Sequence, residues 1–324
     1  MRAMICNAWG DPSTLVMHDI EGCAPGEGEV RLRVRACGVN FADTLMIAGQ
    51  YQVRPPFPFS PGMEIAGEVM DVGEGVRHLK SGDRVMGICD WGGLAEEVTT
   101  KAAMLLPMPP NMDFPTAAAF PIAYGTSHLA LDHRGGLKAG ETLLVLGAAG
   151  GVGLTAVEIG SIMGATVIAA ASTPEKLALA QQYGAAHLIN YSSENLRDRL
   201  KEIVGSKGVN VIYDPVGGDL FEQALRSVAW EGRALVIGFA SGTIPQVPAN
   251  LALVKNCSIV GVFWGAYAGR DPQVLSGSLR TLLSWYSEGK LKPYISATYP
   301  LEQTAEAYHA LMRRQSTGKV VITL

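Results

Sequence analysis

The seven residues from Gly147 to Gly153 read GAAGGVG, and none carries a side chain larger than valine's. Glycine at this density serves close backbone approach. The spacing A-x-G-x-x-G over Ala148–Gly153 is one alanine away from the G-x-G-x-x-G turn that takes a pyrophosphate. Gly150 lets backbone come up to the phosphates, and Gly153 lets the following helix pack closely on the strand before it. The first N–H groups of that helix, at its positive dipole end, attract the anion. About 20 residues on, an NAD site carries an Asp or Glu bonded to the ribose 2′-OH; this chain has Ala171-Ser172-Thr173 there. Ser172 can donate a hydrogen bond to a 2′-phosphate, and Lys176 adds the cation a phosphate dianion needs. Glu175, just after Pro174, instead complements a helix dipole. The residues therefore predict NADPH (NADP) in preference to NADH.

To hold that turn, the flanking sequence must supply a strand, a helix and a second strand. Thr142–Leu146 is a short apolar run of β-formers, Leu154–Met163 has apolar residues at helical spacing, and Thr166–Ala171 is apolar again after Gly164. This is a βαβ unit of about 30 residues, the setting in which the glycine turn becomes specific. The alternation continues: helix over Pro174–Tyr183, strand Ala186–Ile189, helix Glu194–Val204, strand Val209–Asp214, helix Leu220–Val228, strand Arg233–Gly238, then a sixth strand, Ser258–Trp264. Six strands with intervening helices predict an α/β, doubly wound parallel (Rossmann) sheet.

Upstream, from Met1 to about Val98, short strands are broken by Gly and Pro. In Glu29–Cys37, Val30, Leu32, Val34 and Ala36 alternate with Arg31, Arg33 and Arg35, so a small β-barrel with a solvated arginine face is expected. Asn40–Ala48 reads as a short helix, Gly49–Pro61 as a Pro-rich loop, and Met112–Leu131 as helix in pieces interrupted at Pro115 and Pro121. Pro272–Ser287 is a long helix. The remaining tail, with a helix over Leu301–Met312 and a strand over Lys319–Leu324, is too short for a third domain and returns to the N-terminal module.

The chain has 324 residues, 48% hydrophobic and 17% charged, an ordinary globular composition with room for two domains. A formal net charge of −4 provides no overall basic field for nucleic acid. No apolar run is long enough to span a membrane, and MRAMICNAWG lacks a signal-peptide core, so a cytoplasmic protein is expected. Cys6, Cys23, Cys37, Cys89 and Cys257 are odd in number, scattered and without C-x-x-C, which predicts reduced thiols. The six histidines show no paired ligand spacing, and His128 and His133 read as packing or surface residues.

Several segments in one order, GVNFADTLMIAGQY, PFSPGMEIAGEV, PIAYGTSHLAL, GAAGGVGL, INYSSENL, YDPVGG and STGKVVITL, resemble the medium-chain dehydrogenase/reductase superfamily. Within it they are most similar to the zinc-independent NADPH:quinone oxidoreductases, the zeta-crystallin-like branch. The resemblance covers nearly the whole chain. It implies a GroES-like β-barrel domain formed by both chain ends, residues 1–123 and 265–324, around a Rossmann NADPH-binding domain at 124–264. Where zinc-using relatives carry a catalytic Cys and a Gly-His-Glu, this chain has Asn40 and Gly62-Met63-Glu64, and Met is no usual zinc ligand. The four-cysteine lobe is also missing, so the resemblance implies no metal.

Without a Lewis acid, hydrogen-bond donors in a dry cleft must steady the enolate or hydroquinone anion left by hydride transfer. Asn40, Asp43 and Tyr51, at offsets of zero, three and eleven, resemble the family's N-x-x-D and following G-x-Y. Asn40 can bond the nicotinamide ribose or the substrate oxygen, Tyr51 can protonate the reduced substrate or simply wall its pocket, and Asp43 can orient its neighbours. The resemblance further implies that the cofactor contacts Ala149, Gly150, Gly151, Val152 and Gly153, Thr126 on the nicotinamide side, and Tyr191 near the 2′-phosphate. Gly238-Phe239 and Phe263-Trp264 end successive strands at the sheet's carboxyl edge, where nucleotides bind. Gly318-Lys319 resembles the family's terminal segment that passes the cofactor, which implies that Lys319 can pair with a phosphate. The expected activity is reduction of quinones or other α,β-unsaturated carbonyl compounds, small-molecule substrates. An enoyl-thioester reductase and a non-catalytic NADPH-binding protein are the alternatives. A homodimer through the last Rossmann strand is expected, because a bare apolar edge seeks a partner.

Overall fold

The alternation in Glu29–Val39 gives the first unit its organising strand. Val30, Leu32, Val34 and Ala36 are all buried, while Arg31 pairs with Glu97 at 2.5 Å and Asp71 at 3.6 Å, and Arg35 pairs with Glu68 at 2.8 Å. The predicted arginine face is thus laced to carboxylates across neighbouring strands. The computed structural model describes Met1–Leu324 and divides into two units, Met1–Ile122 with Pro293–Leu324, and Ala123–Lys292.

In the first unit, β1 (Arg2–Ile5) and β2 (Val16–Asp19) form a hairpin sheet. The long strand is β3 (Glu29–Val39), followed by α1 (Phe41–Ile47), β4 (Glu64–Val72), β5 (Arg84–Ile88), β6 (Glu97–Lys101), β7 (Leu105–Pro107) and the short helix α2 (Phe114–Ala118). One edge of β3 pairs with β4; the other carries β6 along its first half, through Glu29–Arg33. Asp113 caps α2, accepting from the Thr116 N–H, and Pro115 sits in its first turn. Pro115 therefore helps to start a helix where the sequence predicted an interruption, since an N-terminal proline loses no intrahelical bond.

The second unit begins in α3 (Pro121–His128), again opened by a proline, which runs on into a π-helical turn to Arg134. Then come β8 (Thr142–Leu146), α4 (Gly151–Ile162), β9 (Thr166–Ala171), α5 (Pro174–Gln182), β10 (His187–Asn190), α6 (Leu196–Val204), β11 (Val209–Asp214), α7 (Gly218–Arg226), β12 (Val228–Val236), α8 (Ala249–Lys255), β13 (Ser258–Gly261), α9 (Tyr267–Arg270) and α10 (Pro272–Ser287). The six strands lie in the order β10-β9-β8-β11-β12-β13, every pair parallel. The strand order reverses between β8 and β11, and ligands of such sheets bind at the carboxyl ends beside that point. β13 stops at Gly261, three residues short of the predicted end, because Trp264 enters a 3-10 turn.

The chain returns to the first unit through β14 (Ile295–Pro300), α11 (Thr304–Met312) and β15 (Lys319–Thr323). β15 pairs antiparallel with the second half of β3, through Val39 to Ala36. The return was expected, but it starts at Pro293, later than 265. The reason is that α10 belongs to the nucleotide unit: His128 Nδ1 bonds Ser278 Oγ at 2.9 Å, and the His128 ring meets Trp285 edge to face. Just beyond, the Lys292 N–H donates to buried Glu158 at 2.8 Å.

Candidate functional site

The nucleotide unit gathers most of the predicted residues at the carboxyl edge of its sheet. At Gly153 a Cβ would lie 2.1 Å from the Gly147 carbonyl oxygen, so only glycine lets α4 seat against the turn. Gly150 differs. It is the N-cap of α4 in extended conformation, and a Cβ there would meet nothing closer than 3.4 Å. No side chain caps the helix, which leaves the N–H groups of Gly151, Val152 and Gly153 facing an open end. Ala148 N–H donates to Ala170 O at 3.1 Å, fastening the turn, with Ala149, to the end of β9. A cradle closed at Gly153, open at Gly150 and uncapped fits a pyrophosphate.

Ser172 follows the last residue of β9. The Tyr191 N–H donates to Ala171 O at 3.2 Å, bringing Tyr191 beside it. Thr173 caps α5 by accepting from the Lys176 N–H at 3.4 Å, which starts the helix so that Lys176 stands one turn in. Ser172, Lys176 and Tyr191 are thus drawn to one corner of the sheet, with no carboxylate at the end of β9. Three strands away from β9, Gly238 and Phe239 follow β12. The Gly238 N–H reaches Asp214 O at 3.3 Å, and a Cβ on Gly217 would lie 3.0 Å from the Phe239 ring. The sequence pattern of YDPVGG assigns no role to Asp214. The structure buries its carboxylate, which accepts from Val216 N–H at 2.8 Å and Gly217 N–H at 3.0 Å and so shapes this loop. Burial pushes that carboxyl up to about 6 despite those bonds.

Thr126 is buried in α3 next to Ser127, whose hydroxyl donates to Val152 O at 2.9 Å and ties α3 to the first turn of α4. Trp264 is buried against the same stretch, since a Cβ on Gly125 would sit 2.8 Å from its indole. Phe263 turns the other way and is 52% exposed. The predicted pair is therefore split: Trp264 backs the Thr126 helix, and Phe263 faces out.

In the first unit Asn40, Asp43 and Lys319 meet, around a residue that sequence reading treated only as part of a lost metal motif. Glu64 is 0% exposed and Lys319 6%. The Lys319 ammonium donates to Asn40 Oδ1 at 2.7 Å, Glu64 Oε2 at 2.9 Å and Val39 O at 3.1 Å. Three protons have three acceptors, which leaves none for a phosphate. Asn40 is committed in the same way: Nδ2 donates to Glu64 Oε2 at 2.9 Å and Gly38 O at 3.2 Å. The amide placed by sequence on ribose or substrate is a buried link between strands.

Asp43 accepts from the Asn40 N–H at 2.9 Å through Oδ2, while its Oδ1 and the Tyr308 hydroxyl are buried without a partner of normal geometry. Glu64 and Lys319 neutralise one another, so Asp43 is the surplus carboxyl. Burial is the chief cause that lifts it to about 7. Tyr51 stands half-buried in the Pro-rich loop. Burial, and then the charge of Asp43, raise its phenol above the ordinary value, so it keeps its proton at neutral pH. No three His, Cys, Asp or Glu side chains stand together where they could hold a metal. With Glu64 paired to Lys319 and Met63 beside it, the donors at this place do not fit zinc.

Residues 26–110 match the alcohol dehydrogenase GroES-like domain family, and residues 151–285 match the zinc-binding dehydrogenase family. The chain is 47% identical to quinone oxidoreductase-like protein 2 homolog of Nematostella vectensis, over 99% of this chain and 88% of that one. It is 45% identical to quinone oxidoreductase-like protein 2 of Rattus norvegicus, over 100% of this chain and 92% of the relative. Among solved structures, Escherichia coli quinone oxidoreductase complexed with NADPH superposes with a TM-score of 0.93 at 30% identity, each chain covered fully. A Rossmann sheet with an uncapped glycine cradle, joined to a GroES-like unit made from both chain ends, defines a medium-chain dehydrogenase/reductase. This chain belongs to that superfamily and, within it, to the zinc-independent quinone oxidoreductases.

Proposed function

We propose that the chain is an NADPH-dependent reductase of quinones. The observation that carries this reading is the make-up of the sheet corner where β9 and β10 end: Ser172 and Tyr191 follow these strands, Lys176 stands one turn into α5, and no carboxylate follows β9 as it does in an NAD site. The NADPH found with the Escherichia coli relative supports the same choice. Bound, the cofactor supplies a hydride. The protein's own work is to anchor the pyrophosphate on α4, to grip the 2′-phosphate through Ser172 and Lys176, and to present a protonated Tyr51. A quinone that accepts one hydride needs one proton to become the hydroquinone, and the phenol of Tyr51 is the donor in the substrate loop.

Mixing the protein with NADPH and 1,4-benzoquinone, an enone or an enoyl-thioester, and following loss of reduced nicotinamide, tests the reading. Fastest turnover is expected with the quinone. Fastest turnover with the thioester would make the chain an enoyl reductase, and no turnover with any acceptor would sink the enzyme reading. Tyr51→Phe is expected to slow enone reduction more than quinone reduction, because hydroquinone anions also take protons from solvent. Equal losses would leave Tyr51 a pocket wall.

A homodimer through β13 and α8 belongs to the same proposal. β13 is an edge strand paired only with β12, Ile259 on it is exposed, and Leu253 and Val254 of α8 are exposed beside it, Leu253 to 80%. Ile259→Lys is expected to yield monomers in sedimentation; an unchanged mass would remove this edge from any interface. Five unpaired cysteines, three of them buried, support a reducing compartment, the cytoplasm, and no helix is long and apolar enough to cross a membrane.

A further inference from the structure

The hydroxyl of Ser127 is a junction inside the nucleotide unit. It lies in α3 directly after Thr126 and is 0% exposed. Its oxygen stands 2.9 Å from Val152 O in the first turn of α4, 2.8 Å from Thr155 Oγ1 one turn further along, and 2.9 Å from the Tyr213 hydroxyl of β11. A serine has one proton to give and two lone pairs to fill. A carbonyl cannot donate, so the Ser127 proton goes to Val152, and Thr155 and Tyr213 donate to Ser127. Tyr213 is fully buried, and burial raises its phenol above the ordinary value, so it keeps the proton it donates. One hydroxyl is thus saturated by two other elements.

Packing alone would not fix α3 in this way. At Gly125 the helix bears on the Trp264 indole, where a Cβ would come within 2.8 Å, and the Trp264 Nε1–H is buried without a partner. That contact presses on the helix without direction, because a helix can slide along an apolar surface and still cover it. Hydrogen bonds weaken steeply with angle and distance, so the bonds at Ser127 hold the helix along its axis as well. They fix it to the two parts that frame the cofactor site. Val152 belongs to the glycine cradle, and β11 with β8 flanks the point where the strand order reverses.

We infer that Ser127 is a positioning residue: through Val152 and Tyr213 it sets how far Thr126, at the nicotinamide end, stands from the cradle at the pyrophosphate end. This rests on the NADPH-reductase reading above and on the contact expected between Thr126 and the nicotinamide. Ser127 is sealed from both cofactor and substrate and acts through its neighbour in the chain. A reacting group displaced by about 1 Å can lose about a hundredfold in rate. A bond that adds little to folding can therefore still govern hydride transfer.

Ser127→Ala, Tyr213→Phe and the double variant separate alignment from folding. Ser127→Ala leaves the Tyr213 hydroxyl buried without a partner, so Tm should fall by several degrees. The double variant removes that orphan and should regain most of the loss. NADPH affinity should stay close to that of the wild type in all three, since the cradle and the ribose corner are intact. In Ser127→Ala, kcat for 1,4-benzoquinone should fall about tenfold or more with KM little changed, and it should stay down in the double variant. Tyr213→Phe, which keeps the bond to Val152, should lose less. A kcat that recovers together with Tm in the double variant, or that Ser127→Ala leaves alone, overturns the inference and makes Ser127 a fold contact only. A second readout needs no turnover. With NADPH bound to protein isotopically labelled at its threonine methyls, the Thr126 methyl should show nuclear Overhauser contacts to the nicotinamide protons in the wild type and lose them in the double variant. Contacts that persist there overturn the inference, as does their absence in the wild type. Should the wild type reduce no acceptor, the reductase reading fails, and these contacts still decide whether Ser127 positions Thr126.

Discussion

Ser172 carries the proposed choice between NADPH and NADH. A hydroxyl at the end of β9 accepts a 2′-phosphate neighbour, where a carboxylate would repel it. Ser172→Asp is therefore expected to weaken NADPH binding by about tenfold to a hundredfold, the range of one hydrogen bond to a charged group, and to spare NADH. Fluorescence titration of both nucleotides checks this, and equal losses for the two would move the 2′-phosphate elsewhere. Where Ser172, Lys176 and Gly150–Gly153 sit in the fold was legible in the chain order, because they belong to the consecutive elements α4, β9 and α5 and the turns between them. Lys319 was not. Its motif placed it near a phosphate, while its acceptors, Val39, Asn40 and Glu64, lie more than 250 residues away in sequence, and no local pattern reveals so distant a neighbour.

At the scale of elements, the turn into α4 separates a glycine that packing demands from one that it does not. Gly153→Ala would drive a Cβ into the Gly147 carbonyl at 2.1 Å; backbone cannot step aside as a side chain tip can, so a loss of several degrees in Tm or a failure to fold is expected. Gly150→Ala has room and an ordinary φ. It should fold with a Tm close to that of the wild type yet bind NADPH at least about tenfold more weakly, since its methyl group fills the space the phosphates approach. Calorimetry beside nucleotide titration distinguishes the two, and normal NADPH affinity in Gly150→Ala would count against the cradle. The central strands were readable to the residue, Thr142–Leu146, Thr166–Ala171 and Val209–Asp214, because fully buried parallel strands are unbroken apolar runs. Edge elements were less so: β14 and α8 went unread, and β13 was drawn too long, because exposed short elements carry mixed sequence.

For the molecule as a whole, the buried Lys319–Glu64 pair joins the two chain ends, and its charges are balanced only together. Lys319→Met leaves Glu64 charged and buried, and should cost about 3–5 kcal/mol in urea unfolding, with partial recovery in Lys319→Met/Glu64→Gln. No recovery would show that packing, not charge, sets the loss. Asp43, facing Lys319, Glu64, Tyr308, Tyr51, Cys37 and Cys89, gives the protein a pH signature. Its carboxyl is raised from 3.8 to about 7, so between those values the folded state keeps a proton that the unfolded chain has released. Its contribution to stability is fully present below the unfolded value and is lost as pH rises through about 7. The stability advantage of wild type over Asp43→Asn should accordingly shrink as unfolding is measured from pH 4 to 8; a constant difference would mean that Asp43 titrates at its ordinary value.

The sequence alone determined the doubly wound sheet and the glycine turn that opens α4, because each rests on short-range periodicity and on backbone geometry that neighbouring residues dictate. Only the tertiary structure decided that Asn40 and Lys319 are bound to Glu64, that α10 belongs with the nucleotide unit, and that Tyr213 reaches Ser127. Those contacts join segments whose separation along the chain hides them, and the free energy of a buried charge or hydroxyl depends on what folding brings beside it.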